Sequence, residues 1–237
     1  MKKAFLDFLY PPACLFCGGP EAGNAMVCRR CLDRLRESCL PAFHRGGHGF
    51  PRLSGSMFLD YAVTFWEYSK GIENLIHWIK YRRGKRTCLL LGALVAEALS
   101  RMHRSAGPEP CSGSPHEDSV LFVPVPLHKV KHRERGYNQS EWICEAMAAA
   151  FPLKWDARVL KRHRYTKTQT HLSAWERQDN VGTAFSSADS EMVMGKTVCL
   201  VDDVITTGAT VNACAGCLLE AGAERVIAMA LARPIMD

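Results

Sequence analysis

Two stretches of this sequence hold side chains whose types and spacing can do chemistry. In the first, Val201-Asp-Asp-Val-Ile-Thr-Thr-Gly-Ala-Thr210, two carboxylates stand directly before a turn of small hydroxylated residues, and an apolar run leads into them from Val198. Such a turn suits a phosphate. Gly208 lets the backbone approach a ligand closely, and the amides from Thr207 through Ala209 to Thr210, at the start of a helix, aim N–H groups and a positive dipole end at an anion. The hydroxyls of Thr206, Thr207 and Thr210 add donors. Asp202 and Asp203 fall at the carboxyl end of a strand, where open α/β sheets bind ligands and carboxylates accept hydrogen bonds from sugar hydroxyls. The plainer alternative is an acidic turn that caps a helix. Paired acids beside an anion site are costly, however, unless a sugar or a metal separates them.

The second stretch is Cys14-x2-Cys17-x10-Cys28-x2-Cys31, with Gly18 and Gly19 allowing a tight knuckle after the first pair. Two thiolate pairs at this spacing predict a closed, tetrahedral, structural zinc site, whose metal replaces the core that so short a segment lacks. Iron–sulfur ligation is the alternative. Downstream, Cys39, His44 and His48 lack a fourth ligand, and the Arg, Gly and Pro around them suggest an exposed loop. Cys88, Cys144, Cys199, Cys214 and Cys217 lie in apolar segments and read as small core residues, while Cys111 falls in a loop.

A fold must bring these stretches into position. Asp60–Tyr68, Val120–Pro126, Lys196–Val201 and Arg225–Leu231 read as strands, with a short one near Arg158–Leu160. Helical patterns open at Gly71, where Ile72, Leu75, Ile76 and Ile79 recur at three- and four-residue steps, and cover Thr87–Met102, Ser140–Phe151 and Gly208–Ala221. His77 and Trp78 on the first of these read as core and rim. Strands alternating with helices predict an α/β fold, a mainly parallel sheet covered on both faces. Residues 105–118 have the composition of a linker.

The chain has 237 residues, 47% hydrophobic and 23% charged, enough for a main domain with a small module. No apolar run reaches the length of a membrane-spanning helix, and the N-terminal apolar stretch, split by Asp7 and ended by Pro11-Pro12, does not read as a secretory signal. Eleven cysteines, an odd number, fit a reducing compartment, so the expected location is the cytoplasm. A net charge of +6 favours anionic ligands without naming one. Lys80, Arg82, Arg83, Lys85 and Arg86 form one basic patch, and Lys129, Lys131, Arg133 and Arg135 another. Both are also compatible with a solvated surface.

The stretch Val201–Thr210 resembles the phosphoribosyl-pyrophosphate motif of type I phosphoribosyltransferases. More narrowly, the chain resembles the ComF/GntX family, associated with competence for DNA uptake and the use of external DNA or gluconate, in which a cysteine-rich N-terminus precedes a phosphoribosyltransferase-like domain. The cysteine pairs at 14–31, Pro124–His128 running on to Arg133-Glu-Arg-Gly-Tyr-Asn-Gln139, the stretch from Thr168 and Gln169 through Glu176 and Arg177 to Asn180, and the phosphate turn carry the likeness. It divides the chain into a cysteine module with linker, 1–58, and a phosphoribosyltransferase-like domain, 59–237. Relative to the family, a second cysteine knuckle is degenerate here.

The resemblance implies that Asp202 and Asp203 bind the ribose 2′ and 3′ hydroxyls, that Thr206, Thr207, Gly208, Ala209 and Thr210 cradle the 5′-phosphate, and that magnesium arrives on the pyrophosphate. It assigns Arg133, Arg135, Gly136, Tyr137, Asn138 and Gln139 to the pyrophosphate. Lys167, Gln169, Arg177 and Asn180 fall in a hood loop over the site, although Arg177 equally suits a surface helix. The implied activity is transfer of a phosphoribosyl group to an acceptor that the sequence does not name. A second reading gives the basic patches, with Trp66, Trp78 and Tyr81, to single-stranded DNA or to proteins of DNA uptake, and a homo-oligomer is compatible with either.

Overall fold

The computed structural model describes residues 13–19, 26–45, 50, 56–105, 119–150, 154–163, 184–187 and 190–234. Its main sheet runs, in spatial order, Ala42–Arg45 (β1), Tyr61–Glu67 (β2), Arg225–Arg233 (β8), Thr197–Val204 (β7), Val120–Pro124 (β3) and Lys154–Trp155 (β4). Neighbours are parallel throughout, except that β1 pairs antiparallel with β2. Leu160–Arg162 (β5) and Phe185–Ser187 (β6) make a separate antiparallel ribbon.

Parallel neighbours need crossovers, and helices supply them. Ser69 caps Lys70–Tyr81 (α2) by accepting a hydrogen bond from the Ile72 amide, and Ile72, Leu75, Ile76 and Ile79 form its buried stripe. Each such burial contributes ~1.5–3 kcal/mol before the entropy of ordering is subtracted. Lys85–Ser105 (α3) and Gln139–Ala150 (α5) lie on the same face of the sheet, where Leu91, Val95, Ile143 and Met147 meet Cys199 and Val201 of β7. The opposite face is covered by Ala209–Glu220 (α6), whose Val211, Cys214 and Leu218 pack with Val198 and Leu200. The strand's two-residue period therefore divides β7 between two cores.

Arg29–Ser38 (α1) follows the second cysteine pair and buries Cys31 and Leu35 in the core of α2 and α3. The Trp66 indole of β2 donates to the Leu35 carbonyl at 3.0 Å, tying the cysteine module to the sheet. β1 extends the same sheet beyond the module.

The structure differs from the sequence expectation at three places that matter to the site. Lys129–Arg135, read from sequence only as a basic patch, is a short helix (α4): His128 caps its start through Nδ1, and Gly136, at φ +79°, ends it in the left-handed conformation that favours glycine. β7 runs on to Val204, past the expected end at Val201, so both acids stand at its carboxyl end as expected but within the strand itself. Cys39 is fully buried, its thiol donating to the Leu94 carbonyl, and His44 stands on β1 with Nε2 2.9 Å from the Thr64 hydroxyl. That region is part of the fold's edge rather than an exposed loop. His48, Cys111 and the greater part of the expected linker lie outside the described residues.

Candidate functional site

The pleat of β7 separates its two acids. Asp203 continues the row of Cys199 and Val201 toward α2, is 4% exposed, and places Oδ2 2.6 Å from Lys80 Nζ at the end of that helix. Burial works against the Lys80 ammonium, but the charges of Asp203 and Asp202 outweigh it and hold its pKa above the ordinary lysine value. Asp202 continues the other row. Its Oδ1 accepts from the Ser140 hydroxyl at 3.0 Å and from the Asp203 amide at 2.8 Å. Burial, then the neighbouring Asp203 charge, push its pKa up to about 7, against the pull of Lys80.

Beyond β7 the chain turns through Thr206 and Thr207 into α6. Gly208 takes φ +83° at the helix start and offers no side-chain cap, the Thr207 hydroxyl accepts from the Ala209 amide at 3.4 Å, and no acid stands in the first turn of α6. Its dipole end faces a small cavity lined by Asp202, Val204 and the residues from Ile205 to Val211. A carboxylate, hydroxyls and helix-start amides thus converge on one space, the donor and acceptor set that a sugar phosphate requires. The turn is braced from behind. Phe50 packs so closely on Gly208 that a Cβ there would come within 2.7 Å of the ring, and Arg233 stacks on the same ring at 4.7 Å. Asn212 accepts from the Phe58 amide and donates to the Ser56 carbonyl, fixing the approach of that segment to α6.

The residues from Arg133 to Gln139 come to the same edge of the sheet, with different exposures. Arg133 is exposed, while Arg135 is half-buried, donates to Gln139 Oε1 at 3.0 Å and lies 5.0 Å from the Tyr81 ring. Tyr137, Asn138 and Gln139 are buried. Tyr137 stacks on Trp142, donates its hydroxyl to the Ile79 carbonyl at 2.5 Å and accepts from the Arg83 amide at 3.1 Å. Asn138 donates to the Val125 carbonyl and accepts from the Ser140 amide. Tyr137 thus ties this turn to α2, Asn138 ties it to the chain just after β3, and Gln139 holds Arg135. The hood residues Lys167, Gln169, Arg177 and Asn180 lie outside the described residues. The segment's two ends are joined by β5 and β6 and by the His163 amide donating to the Ala184 carbonyl.

Sequence reasoning missed Lys80 and Ser140 as site residues. Lys80 was grouped with the basic patch at the end of its helix, yet it follows Ile72 and Ile76 at successive four-residue steps, so it continues the buried ridge. A lysine on an apolar ridge signals a buried acid opposite. Ser140 carries no comparable signal.

The four sulfurs of Cys14, Cys17, Cys28 and Cys31 all lie within 4.8 Å of one another, and Cys17 and Cys28 are 4.0 Å apart. Zinc–sulfur bonds of about 2.3 Å in a tetrahedron require sulfur separations of about 3.8 Å, so the cluster fits a structural zinc. Burial opposes ionisation of Cys14, but amides of Cys28, Cys17 and Phe16 hydrogen-bond to it and bring its pKa down to about 6, while burial and the neighbouring sulfurs push the Cys31 thiol up. Among the described residues no other group of three or more candidate ligands gathers in this way. Cys39 and His44 face different neighbours, and Cys88, Cys144, Cys199 and Cys214 are buried as core residues.

Residues 145–235 match the phosphoribosyl transferase domain, and residues 5–51 match the double zinc ribbon domain. The DNA utilization protein YhgH of Salmonella typhi is 31% identical over 222 residues, covering 94% of this chain and 84% of that protein. Competence protein F of Haemophilus influenzae is 32% identical over 178 residues, 73% of each chain. Competence protein ComFC of Bacillus subtilis is 27% identical over 214 residues, 88% of this chain and 72% of that one. With its α/β phosphoribosyltransferase domain, its four-cysteine ribbon and these relatives along nearly its whole length, the chain belongs to the ComF/GntX family.

Proposed function

We propose that the protein binds magnesium-loaded phosphoribosyl pyrophosphate and transfers the phosphoribosyl group to an acceptor met during the handling of imported DNA. The observation that carries this reading is the acid-free start of α6, where the turn from Thr206 to Thr210 adjoins the carboxyl end of β7. The helix-start amides and threonine hydroxyls take the 5′-phosphate, the Asp202 carboxylate, which lines the same cavity, takes ribose hydroxyls, and Arg133 and Arg135 take the pyrophosphate as paired-donor cations. Magnesium would arrive with the pyrophosphate as part of the substrate and would supply charge neutralisation for the leaving group.

Breaking the C1–oxygen bond gives the sugar oxocarbenium character, so the protein's work is positioning and charge stabilisation, with no side-chain nucleophile required. Names among the relatives that refer to DNA utilization and competence support the DNA-related setting. An odd number of cysteines, four of them gathered as candidate metal ligands, supports the cytoplasm as its location. Among the described residues no helix is long and apolar enough to cross a membrane. Hydrogen exchange tests the ligand assignment: phosphoribosyl pyrophosphate with magnesium is expected to slow exchange in residues 206–211, and unchanged rates there at saturating ligand contradict it.

A second reading is favoured by one feature, the convergence of the two basic segments. Arg135 stacks on the half-exposed Tyr81, and Arg83 approaches Gly136, so the end of α2 and α4 form one surface. A basic surface with an accessible aromatic suits single-stranded DNA. Salt-dependent binding of an oligonucleotide, weakened by Arg83→Ala with Arg133→Ala, is the expected result; no binding at low salt ends this reading.

A further inference from the structure

Two adjacent carboxylates beside an anion-binding turn repel each other and repel the anion. In this fold the conflict is divided between two faces of one strand. Asp203 is buried against α2, where its Oδ2 forms an ion pair with Lys80 Nζ at 2.6 Å and, among the described residues, accepts no aligned hydrogen bond. Asp202 lines the cavity of the phosphate turn and Asp203 does not.

Lys80 is itself held in place. Tyr137 ties the Ile79 carbonyl and the Arg83 amide on either side of it, and its side chain is 25% exposed, with the ammonium turned into the protein. The other charged group near it is the half-buried Arg135 of α4, which is occupied by Gln139 and Tyr81.

We infer that Lys80 is a positioning residue of this site: its ammonium holds the Asp203 carboxylate on the α2 face and cancels its charge, leaving Asp202 to present the carboxylate that meets the sugar. The two acids therefore have unequal roles, Asp202 as ligand acceptor and Asp203 as anchor for the counter-ion. The identity of the ligand rests on the proposed function; the coupling of Lys80 to Asp203 does not.

The test uses full-length, zinc-loaded protein as wild type, Lys80→Met, Lys80→Arg, Asp203→Asn, Asp202→Asn and the Lys80→Met/Asp203→Asn double variant. Each is titrated with phosphoribosyl pyrophosphate and magnesium by calorimetry and unfolded in urea. Lys80→Met strands a buried carboxylate and is expected to weaken binding at least about tenfold, whereas Lys80→Arg stays within about threefold of wild type. The double variant, which removes both charges, is expected to regain most of the lost affinity. A double variant as weak as Lys80→Met overturns the inference, because the ammonium then acts on the ligand directly. Should Lys80→Met fail to fold, Asp203→Asn must lose far less affinity than Asp202→Asn, and equal losses overturn it. Should the wild type bind no phosphoribosyl pyrophosphate, the ligand reading fails, and the urea series still decides the pair: the double variant must be more stable than Lys80→Met, and the reverse order overturns the coupling.

Discussion

Phe16, on the turn between the first two cysteine ligands, packs against Gly71 at the start of α2, so closely that a Cβ on Gly71 would come within 2.6 Å of its ring. The same helix carries Lys80 in its last turn beside Asp203, so one element joins the cysteine knuckle to the strand that leads into the threonine turn. Gly71→Ala is expected to push Phe16 aside and cost about 1–3 kcal/mol of stability. Zinc should also leave faster. Urea unfolding and chelator-competition rates on wild type and variant check this, and unchanged values in both count against the coupling.

Removing zinc from the wild type with a chelator is expected to lower the melting temperature, because metal binding to the folded ribbon is part of the folding free energy. Leu35 and Cys31 share a core with Leu75 and Leu91, so the loss should spread beyond the ribbon. A single, lower transition by calorimetry is the expected outcome. An unchanged main transition would mean that the ribbon folds independently of the sheet.

Gly208→Ala combines a left-handed backbone with a collision, since φ is +83° and Phe50 leaves no room for a methyl group. The expected cost is about 1–3 kcal/mol, with loss of phosphate binding as the turn opens. Thermal melts with and without ligand measure both effects. Full retention of either would show the turn to be less constrained than its geometry implies.

Asp202 provides a pH prediction. Its pKa in the folded protein is raised to about 7, chiefly by burial and by Asp203, so the native state holds its proton where the unfolded chain has released it. The associated stability is fully present below the ordinary carboxylate pKa of 3.8 and is lost as pH rises toward about 7. Asp202→Asn should therefore melt a few degrees above wild type at pH 8, with the gap closing toward pH 4. Ligand affinity should move the other way in the wild type, rising between pH 6 and 8 as the carboxylate ionises to accept sugar hydroxyls. Melting curves and titrations at these pH values decide both, and an affinity independent of pH contradicts the acceptor role.

Tyr137→Phe removes one hydroxyl that satisfies both the Ile79 carbonyl and the Arg83 amide. Leaving these groups unpaired should cost about 1–3 kcal/mol in urea unfolding. The ring stack on Trp142 is retained, so the main sheet should be unaffected, and a change below about 0.5 kcal/mol would show that water replaces the hydroxyl.

Much of this architecture is legible in the residues themselves. The four long strands and the helices of the sheet announce themselves through apolar period, because burial and backbone geometry agree there, and the cysteine spacing specifies its own cluster. Boundaries were less legible. Asp202 and Asp203 belong to β7 because pairing with Ala230 and with the neighbouring register on β8 extends a strand that local composition would end at Val201. α4 was hidden because its seven residues have no buried member and therefore no periodicity. β1 was hidden for a related reason: three of its four residues are exposed, and it forms only because β2 offers an open edge. In the site, the turn and its acids were visible as a motif, but their unequal roles depend on Lys80, a contact between residues more than a hundred positions apart. The ridge position of Lys80 signals a buried acid opposite, but no local pattern says which acid.

We propose that the turn after β7 is a working phosphoribosyl site. Calorimetric titration of zinc-loaded wild type with phosphoribosyl pyrophosphate, with and without magnesium, and of the Asp202→Asn/Asp203→Asn variant, tests it most directly. Saturable binding that needs magnesium and disappears in the variant is the predicted result; folded, zinc-loaded wild type that takes up no ligand would contradict it.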